Sequence, residues 1–390
     1  MMKWFMDEQR EQMVAIAQEF AQTECRPKSM EVEETDMPPM DLYKRAAELG
    51  FFGVVFSEEY GGLDLDWTTY CLINEELAKE LPILSILMGG SVNLGAGIFL
   101  NGGTDEQKKY WIPKIINGEA IFGASNTEAT GANNNFEMAA TAVLDGDEWV
   151  LNASKIFITS AEVATHMHVI ARTGEFDPQS MTGFSWFIVP MDTPGVEIGK
   201  IEHKLGWHGS STGSIFYHDV RLPKEALVGT EPGKAMHQIF PVLTSENLMV
   251  GVEMLGQAES LYVKTWEYTH SRMQNGKSMF ESYQVIRHKL AKMRMEIDTL
   301  RALIYSTAAE LDAHRMPWVM GRFCKIKGVE VLDIVSKDAI QLHGGNGVVI
   351  ENGIERPYRD VRVSAIAGGA VEFLYDNVID CIENGMDSVL

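Results

Sequence analysis

Basic residues are in short supply. Lysine and arginine total 33 against 55 aspartates and glutamates, for a formal net charge of −22. A surface that acidic repels phosphate backbones, which excludes nucleic acid as a partner; a phosphorylated small ligand needs only a few local N–H groups and cations. Cysteine is nearly absent. Cys25, Cys71, Cys324 and Cys381 stand far apart with no CxxC pair, so the chain reads as holding reduced thiols rather than a disulfide scaffold or a thiolate metal site. No apolar run is expected to reach the roughly 20 residues of a membrane span. The opening MMKWFMDEQREQ has no apolar leader core. Internal repeats and flexible linkers are also missing. These absences together predict a soluble, cytoplasmic protein with no membrane partner.

What is present is enough for two or three domains: 390 residues, 45% of them hydrophobic. Three textures follow one another. The first third is helical. Met13, Ile16, Ala17, Phe20 and Ala21 mark one helical face between Asp7 and Arg26-Pro27. Further helices are predicted over 39–49, 68–80 and 105–117, the last capped by Thr104. From Ile121 to Val228 short apolar stretches alternate with turns, among them Asp145-Gly146, which predicts a hairpin. This stretch reads as an antiparallel β barrel or sandwich. After Gly233 long helices return, broken at Asn275-Gly276 and near Pro317. The expected class is α+β, with a helical domain over 1–121, an antiparallel β domain over 122–233 and a four-helix bundle over 234–390.

Several stretches carry candidate chemistry. Gly344, Gly345 and Gly347 follow an apolar helical run, and Ala367-Gly368-Gly369-Ala370 opens another helix. Glycines there mean a helix end with backbone open to close approach, and a helix N-terminus presents free N–H groups to an anion. Two ordinary helix junctions would look the same. Gly123 to Asn135, GASNTEATGANNN, is polar and small, the composition of any surface loop. Leu151 to Glu162, LNASKIFITSAE, alternates as a strand. Gly209-Ser210-Ser211-Thr212-Gly213 fits a hydrolase nucleophile elbow, but the strand SIFYHDV follows where that motif needs a helix. His166 and His168 share a strand face without a nearby third ligand, so they read as structural, and no metal is expected.

Nearly the whole chain resembles the acyl-CoA dehydrogenase family. Gln341-x-x-Gly344-Gly345-x-Gly347 followed by Arg359-Asp360 is similar to the family's C-terminal signature. Thr127-Glu128 resembles its Thr-Glu-Pro-x-x-Gly-Ser-Asp loop, with Ala129, Ala132, Asn133 and Asn134 as departures. Lys155-x-Phe157-Ile158-Thr159 resembles its Lys-x-Trp-Ile-Thr strand, and Phe216 to Pro223 its Phe-x-Asp-Val-x-Val-Pro strand. Arg272 to Gly276 is similar to its Arg-x-x-Phe-Gly, with Asn275 in place of phenylalanine.

The resemblance implies FAD as cofactor. Thr127, Asn133, Phe157 and Thr159 would lie at the flavin ring, and Arg272, Gln274, Gln341, Gly344, Gly345, Ala370 and Glu372 along the rest of the cofactor, partly that of a neighbouring subunit. Many members place the catalytic glutamate where this chain has Gly368. A minority, including isovaleryl-CoA dehydrogenase, place it on the first long C-terminal helix, where Leu243-Thr244-Ser245-Glu246-Asn247 offers Glu246. Crotonobetainyl-CoA reductase looks similar in pairing a helix glutamate with a Gly-Gly turn. Asn133, Thr244, Asn247, Gly368 and Gly369 would then meet the substrate, an acyl-CoA or 2-enoyl-CoA, and the pocket would take in residues 87–94.

A homotetramer served by an electron-transferring flavoprotein is implied, or a heteromer with a sister subunit. Departures at Ala132, Asn133, Asn247, Asn275 and Ala370 keep a rival open: a flavin-poor acyl-CoA-binding accessory subunit. An acyl-CoA oxidase is a third reading, for which the residues hold no sign.

Overall fold

The computed structural model describes residues 6–131 and 137–386. Helix α1 (Glu8–Phe20) starts at Asp7, whose carboxylate accepts the Arg10 N–H. The expected stop at Arg26-Pro27 is overturned. A π turn (Ala21–Cys25) hands the chain on to α2 (Arg26–Thr35), and Pro27 falls in the first turn after it, where a missing N–H is cheapest. Helix α3 (Met40–Glu48) ends near Gly50, in the left-handed region at φ 81°. Helix α4 (Trp67–Glu80) is capped by Asp66. Next come α5 (Pro82–Gly89), a π stretch (Gly90–Ala96) and α6 (Gly97–Gly102). They correct another expectation, because Pro82–Gly102 is long and apolar enough to cross a membrane, though 72% of its most apolar window is buried inside the fold. Thr104 and Gln107 form a capping box at the start of α7 (Asp105–Ile116).

The middle of the chain forms one seven-stranded sheet. Its strands are β1 (Phe122–Ser125), β2 (Thr141–Asp145), β3 (Glu148–Thr159), β4 (His166–Asp177), β5 (Thr182–Pro190), β6 (Val196–Ile201) and β7 (Thr212–Pro223). They lie in the order β1-β4-β2-β3-β7-β6, with β5 also on β4. Asp145-Gly146 turns the β2–β3 hairpin as expected. The sheet is not wholly antiparallel. β1 pairs with β4 in parallel, and β2 meets β4 in parallel at Thr141 and Arg172. The long connection between β1 and β4 permits that, since a parallel pair needs a crossover. Residues 209–213 turn straight into β7, the wrong context for a nucleophile elbow.

The C-terminal part holds α8 (Ala235–Ser271), a small hairpin of β8 (Met273–Gln274) and β9 (Lys277–Ser278), α9 (Met279–Ser282), α10 (Gln284–Asp312), α11 (Trp318–His343), α12 (Arg356–Ser364) and α13 (Val371–Glu383). Asn275 and Gly276 turn the hairpin at φ 51° and 76°, the left-handed pair such a turn requires. Helices α8, α10 and α11 pack pairwise, α13 lies along α11, and α4 joins from the N-terminal third against α8 and α10. Helices α8 and α11 come unusually close. A Cβ on Gly251 would stand 2.7 Å from the Cys324 carbonyl oxygen, and one on Gly321 would stand 2.8 Å from the Thr244 methyl.

Helix α12 ties the parts together. Arg356 and Arg359 hold the α2 carboxylate of Glu33 at 3.0 and 2.5 Å. Asp360 accepts the Trp207 backbone N–H at 2.7 Å, and the Trp207 indole donates to Ser364 at 3.0 Å. All four cysteines are buried.

His168 is a core residue. Its Nε2 lies 3.0 Å from the Gly95 carbonyl oxygen and its ring stacks on Phe122. Burial pushes its pKa down to about 3. A histidine neutral in the native state and protonated when unfolded makes the unfolded chain bind more protons once pH falls below its ordinary value, about 6.5. Native stability therefore falls through that window by up to about 1.4 kcal/mol per pH unit from this group. Urea unfolding of His168→Leu between about pH 4 and 6 is expected to show a pH slope flatter by that amount.

Candidate active site

Two groups of residues stand out, one on the sheet and one between helices. On the sheet, the pairing of β3 with β7 slips between Lys155 and Ile158, a β-bulge. The bulge holds Phe157 at φ 55° and leaves it 62% exposed. A large aromatic in left-handed backbone, standing out of a sheet, is strained and unsheltered, and such outliers cluster at ligand sites. The bulge itself is anchored from below. Lys155 is wholly buried and donates to Glu128 Oε1 at 2.7 Å and to the Asn126 carbonyl at 3.0 Å. Glu128 in turn accepts the N–H groups of Ala139 and Ala140 at 2.6 and 3.1 Å. Burial pulls the Lys155 ammonium down to about 8 against the pull of Glu128.

The same anchor draws the Thr127 loop onto the bulge, since the Ile156 N–H donates to the Thr127 carbonyl at 2.9 Å. Thr127, Phe157 and Thr159 are thus brought together, both threonines half-buried. Asn133 lies outside the described residues. A flat aromatic cofactor fits this place: an exposed ring to stack on, with threonines beside it.

The second group surrounds Glu246 on α8. Asn93, from the π stretch, reaches it with Nδ2 3.5 Å from Oε2. π turns re-aim side chains that a regular helix would direct elsewhere. Glu246 keeps part of its surface open. Burial nonetheless pushes its pKa up to about 7, against the lowering effects of the Asn93 hydrogen bond and of Lys325.

Lys325, on α11, is itself fully buried and brought down to about 8 by burial. It donates to the carbonyls of Ala367 and Gly369 at 2.5 and 2.6 Å, holding the turn that includes Gly368 at φ 66°. A Cβ on Gly368 would lie 3.7 Å from the ammonium nitrogen. Lys325 thus holds the Gly368–Gly369 turn and lies within electrostatic reach of Glu246.

The remaining expected residues fall elsewhere. Thr244 is buried in the α8–α11 contact with its hydroxyl 3.4 Å from Arg322 Nη1, and Asn247 is buried one turn on. Arg272, Gln274, Gln341, Gly344 and Gly345 are exposed at neighbouring helix ends. Tyr268 joins those ends by donating to the His343 carbonyl at 3.3 Å. Gln274 accepts a hydrogen bond from Tyr283 at 2.9 Å. Ala370 caps α13, and Glu372 sits exposed in its first turn.

Sequence reasoning missed Lys325, Asn93 and the Glu128–Lys155 pair. Lys325 had a signal: it occupies the apolar stripe Gly321, Lys325, Gly328, Leu332, Val335 of α11, where a charge must be buried.

The chain matches three family profiles in succession: acyl-CoA dehydrogenase N-terminal domain over residues 7–119, middle domain over 122–220 and C-terminal domain over 236–382. It is 32% identical over 372 residues to a probable acyl-CoA dehydrogenase, YngJ, of Bacillus subtilis, covering 95% of this chain and 97% of that one. It is 30% identical over 366 residues to the CarC subunit of the caffeyl-CoA reductase–Etf complex of Acetobacterium woodii, covering 94% and 96%. The solved butyryl-CoA dehydrogenase of Megasphaera elsdenii superposes with a TM-score of 0.93 at 28% identity, covering 98% of this chain and all of that one.

Removing one partner of a buried ion pair leaves the other charge uncompensated. Glu128→Ala is expected to cost about 3–5 kcal/mol in guanidinium unfolding. Combining Glu128→Leu with Lys155→Met should recover only part of that loss, because the Ala139 and Ala140 N–H groups still lack their acceptor.

Proposed function

The chain belongs to the acyl-CoA dehydrogenase family, and from that premise we propose that it is an FAD-dependent oxidoreductase acting on the Cα–Cβ bond of an acyl-CoA thioester, with Glu246 as its base. The observation that carries this reading is a half-buried carboxylate with a pKa of about 7 in the field of Lys325, whose ammonium holds the turn where Gly368 has no side chain to offer. A base must be ionised at working pH yet basic enough to take a carbon-bound proton, and burial supplies that compromise. Asn247, in place of the arginine usual beside such a base, leaves out one cation that would lower the pKa further.

In the forward direction Glu246 takes the α-proton of the bound thioester. FAD, when bound, would supply the acceptor for the β-hydrogen as hydride. Phe157 would cover the ring face and keep water from it, while Thr127 and Thr159 would offer hydroxyl groups at the ring edge. The exposed set of Arg272, Gln274, Gln341, Gly344 and Gly345, together with Ala370 and Glu372, would contact the remainder of an FAD, including that of an adjacent copy in a tetramer. Lys325 holds the Gly368–Gly369 turn whose backbone N–H groups face the thioester, the electrostatic part of the catalysis. In reverse, protonated Glu246 returns the proton to Cα of a 2-enoyl-CoA. The likeness to the caffeyl-CoA reductase–Etf subunit supports both that direction and an electron-transferring flavoprotein as redox partner.

The purified protein is expected to hold a stoichiometric yellow flavin that bleaches anaerobically with one member of an acyl-CoA panel. A colourless protein that takes up no added FAD overturns the proposal. Glu246→Gln should lower kcat by about 10²–10⁴-fold with the flavin retained. In the wild type, kcat/KM should decline below about pH 7 as Glu246 gains its proton, and hold level above it.

A further inference from the structure

Asn93 stands on the π stretch Gly90–Ala96, inside the long apolar run Pro82–Gly102, and is only 2% exposed. Asparagines of the neighbouring helices turn back on their own backbone. Asn74 donates Nδ2 to the Tyr70 carbonyl at 2.9 Å, and Asn101 donates to the Gly97 carbonyl at 2.8 Å. Asn93 does not. Among the described residues its one hydrogen bond crosses to α8, from Nδ2 to Glu246 Oε2 at 3.5 Å, and its Oδ1 has no partner. A residue needed only to settle a π turn would spend its amide on that turn.

The backbone on either side of Asn93 is fixed from outside the helix. Ser91, two residues earlier, accepts the Phe122 N–H at 3.0 Å and the Tyr43 hydroxyl at 2.7 Å. Gly95, two residues later, has its carbonyl oxygen 3.0 Å from His168 Nε2. A Cβ on Gly95 would stand 2.7 Å from that of Phe122. The π stretch is therefore pinned to β1 and β4 on both sides of the asparagine, a rigid mount for its side chain.

What the amide can do for a carboxylate follows from its atoms. An ionised carboxylate only accepts hydrogen bonds, so it is Nδ2 that Asn93 turns to Glu246. One oxygen is engaged; among the described residues no hydrogen bond reaches Oε1. The contact limits rotation of the carboxylate and leaves Oε1 as the atom free to take a proton. Once Oε1 is protonated, Oε2 is the carbonyl oxygen of the acid and still accepts from Nδ2, so the contact outlasts the transfer. The amide itself neither gives nor takes a proton. Hydrogen bonds to catalytic groups are often this long and shorten in the substrate complex.

We propose that Asn93 is the positioning residue of the base, fixing Glu246 Oε2 from the pinned π stretch so that Oε1 meets the α-hydrogen of the thioester. The inference rests on the reading of Glu246 as the base and deepens it.

Stopped-flow bleaching of the flavin in the purified holoprotein tests it, with butyryl-CoA, hexanoyl-CoA, octanoyl-CoA and isovaleryl-CoA as probes. Asn93→Leu is close in shape and has no donor. It is expected to lower the limiting rate by about 10–100-fold, with the half-saturating thioester concentration changed by less than about threefold. Its rate–pH curve should turn at a higher pH than the wild type's, which turns near 7, because losing the N–H donor disfavours the ionised carboxylate. The deficit is then larger at about pH 6 than at about pH 9. Lys325 from α11, Glu253 from α8 and Tyr70 from α4 are the titratable groups in reach of Glu246. All three stay in place, so a difference between the curves belongs to the Asn93 contact. Should the leucine variant fail to retain flavin, Asn93→Asp, equal in size, carries the test, and its second carboxylate should also move the turning point upward. A turning point that stays at the wild-type value overturns the inference, whether the rate is unchanged or falls with a matching rise in half-saturation, the sign of a loosened π turn. A wild type that no probe bleaches, or a Glu246→Gln variant that bleaches as fast as the wild type, overturns the proposed function instead, and this inference falls with it.

Discussion

The contact that the rest of the molecule depends on is the close passage of α8 past α11. Gly251 and Gly321 leave no side chain between the helices, so backbone meets backbone or a small side chain at van der Waals distance. Only at that separation does the Lys325 ammonium, on the short remaining reach, touch the turn before α13 while staying near Glu246. A wider crossing would fill with aliphatic side chains and leave the lysine pointing into apolar packing. Site geometry here is thus set by residues with no chemistry of their own.

Two buried lysines show how differently the fold treats charge. Lys155 is matched atom for atom: a carboxylate and a carbonyl take its hydrogens, and the carboxylate's other bonds go to backbone N–H groups. Such a satisfied cluster is a rigid support, and it stands directly under the strained bulge at Phe157. Among the described residues Lys325 has carbonyls but no direct ion pair, and burial shifts the carboxylates in its field upward against its pull. Full pairing would favour structure; incomplete pairing leaves proton affinities near working pH, which is what proton transfer needs.

Much of this was legible from residue pattern. The order of helical, β and helical segments followed from period alone, because long amphipathic runs and short alternating ones are hard to confuse. Thr104, Asp7 and Asp145-Gly146 did what their capping and turn chemistry predicts. Phe157 and Thr159 came through resemblance, and the backbone explains why they are held where they are. Pro27 misled, because a π turn is invisible to a rule that treats proline as a stop. The parallel pairing of β1 was equally hidden, since strand pattern says nothing about partner or direction. Asn93 depends on the same kind of irregular turn. Thr244 stands two residues before Glu246, but a helix turns about 100° per residue, so the two point about 200° apart and Thr244 faces α11 instead.

Helix α12 bears on how such chains can be recombined. Its arginines grip α2, its aspartate receives Trp207 from the loop before β7, and its outer turn hydrogen-bonds the same indole. Three regions hundreds of residues apart therefore share one set of contacts. A chimera that exchanged the sheet with a relative's at its two obvious borders would inherit a foreign 205–208 loop against a native α12. Compatible donors are those that match at that loop, whatever their overall similarity, so the exchangeable unit in this lineage is the sheet together with a nine-residue helix far downstream.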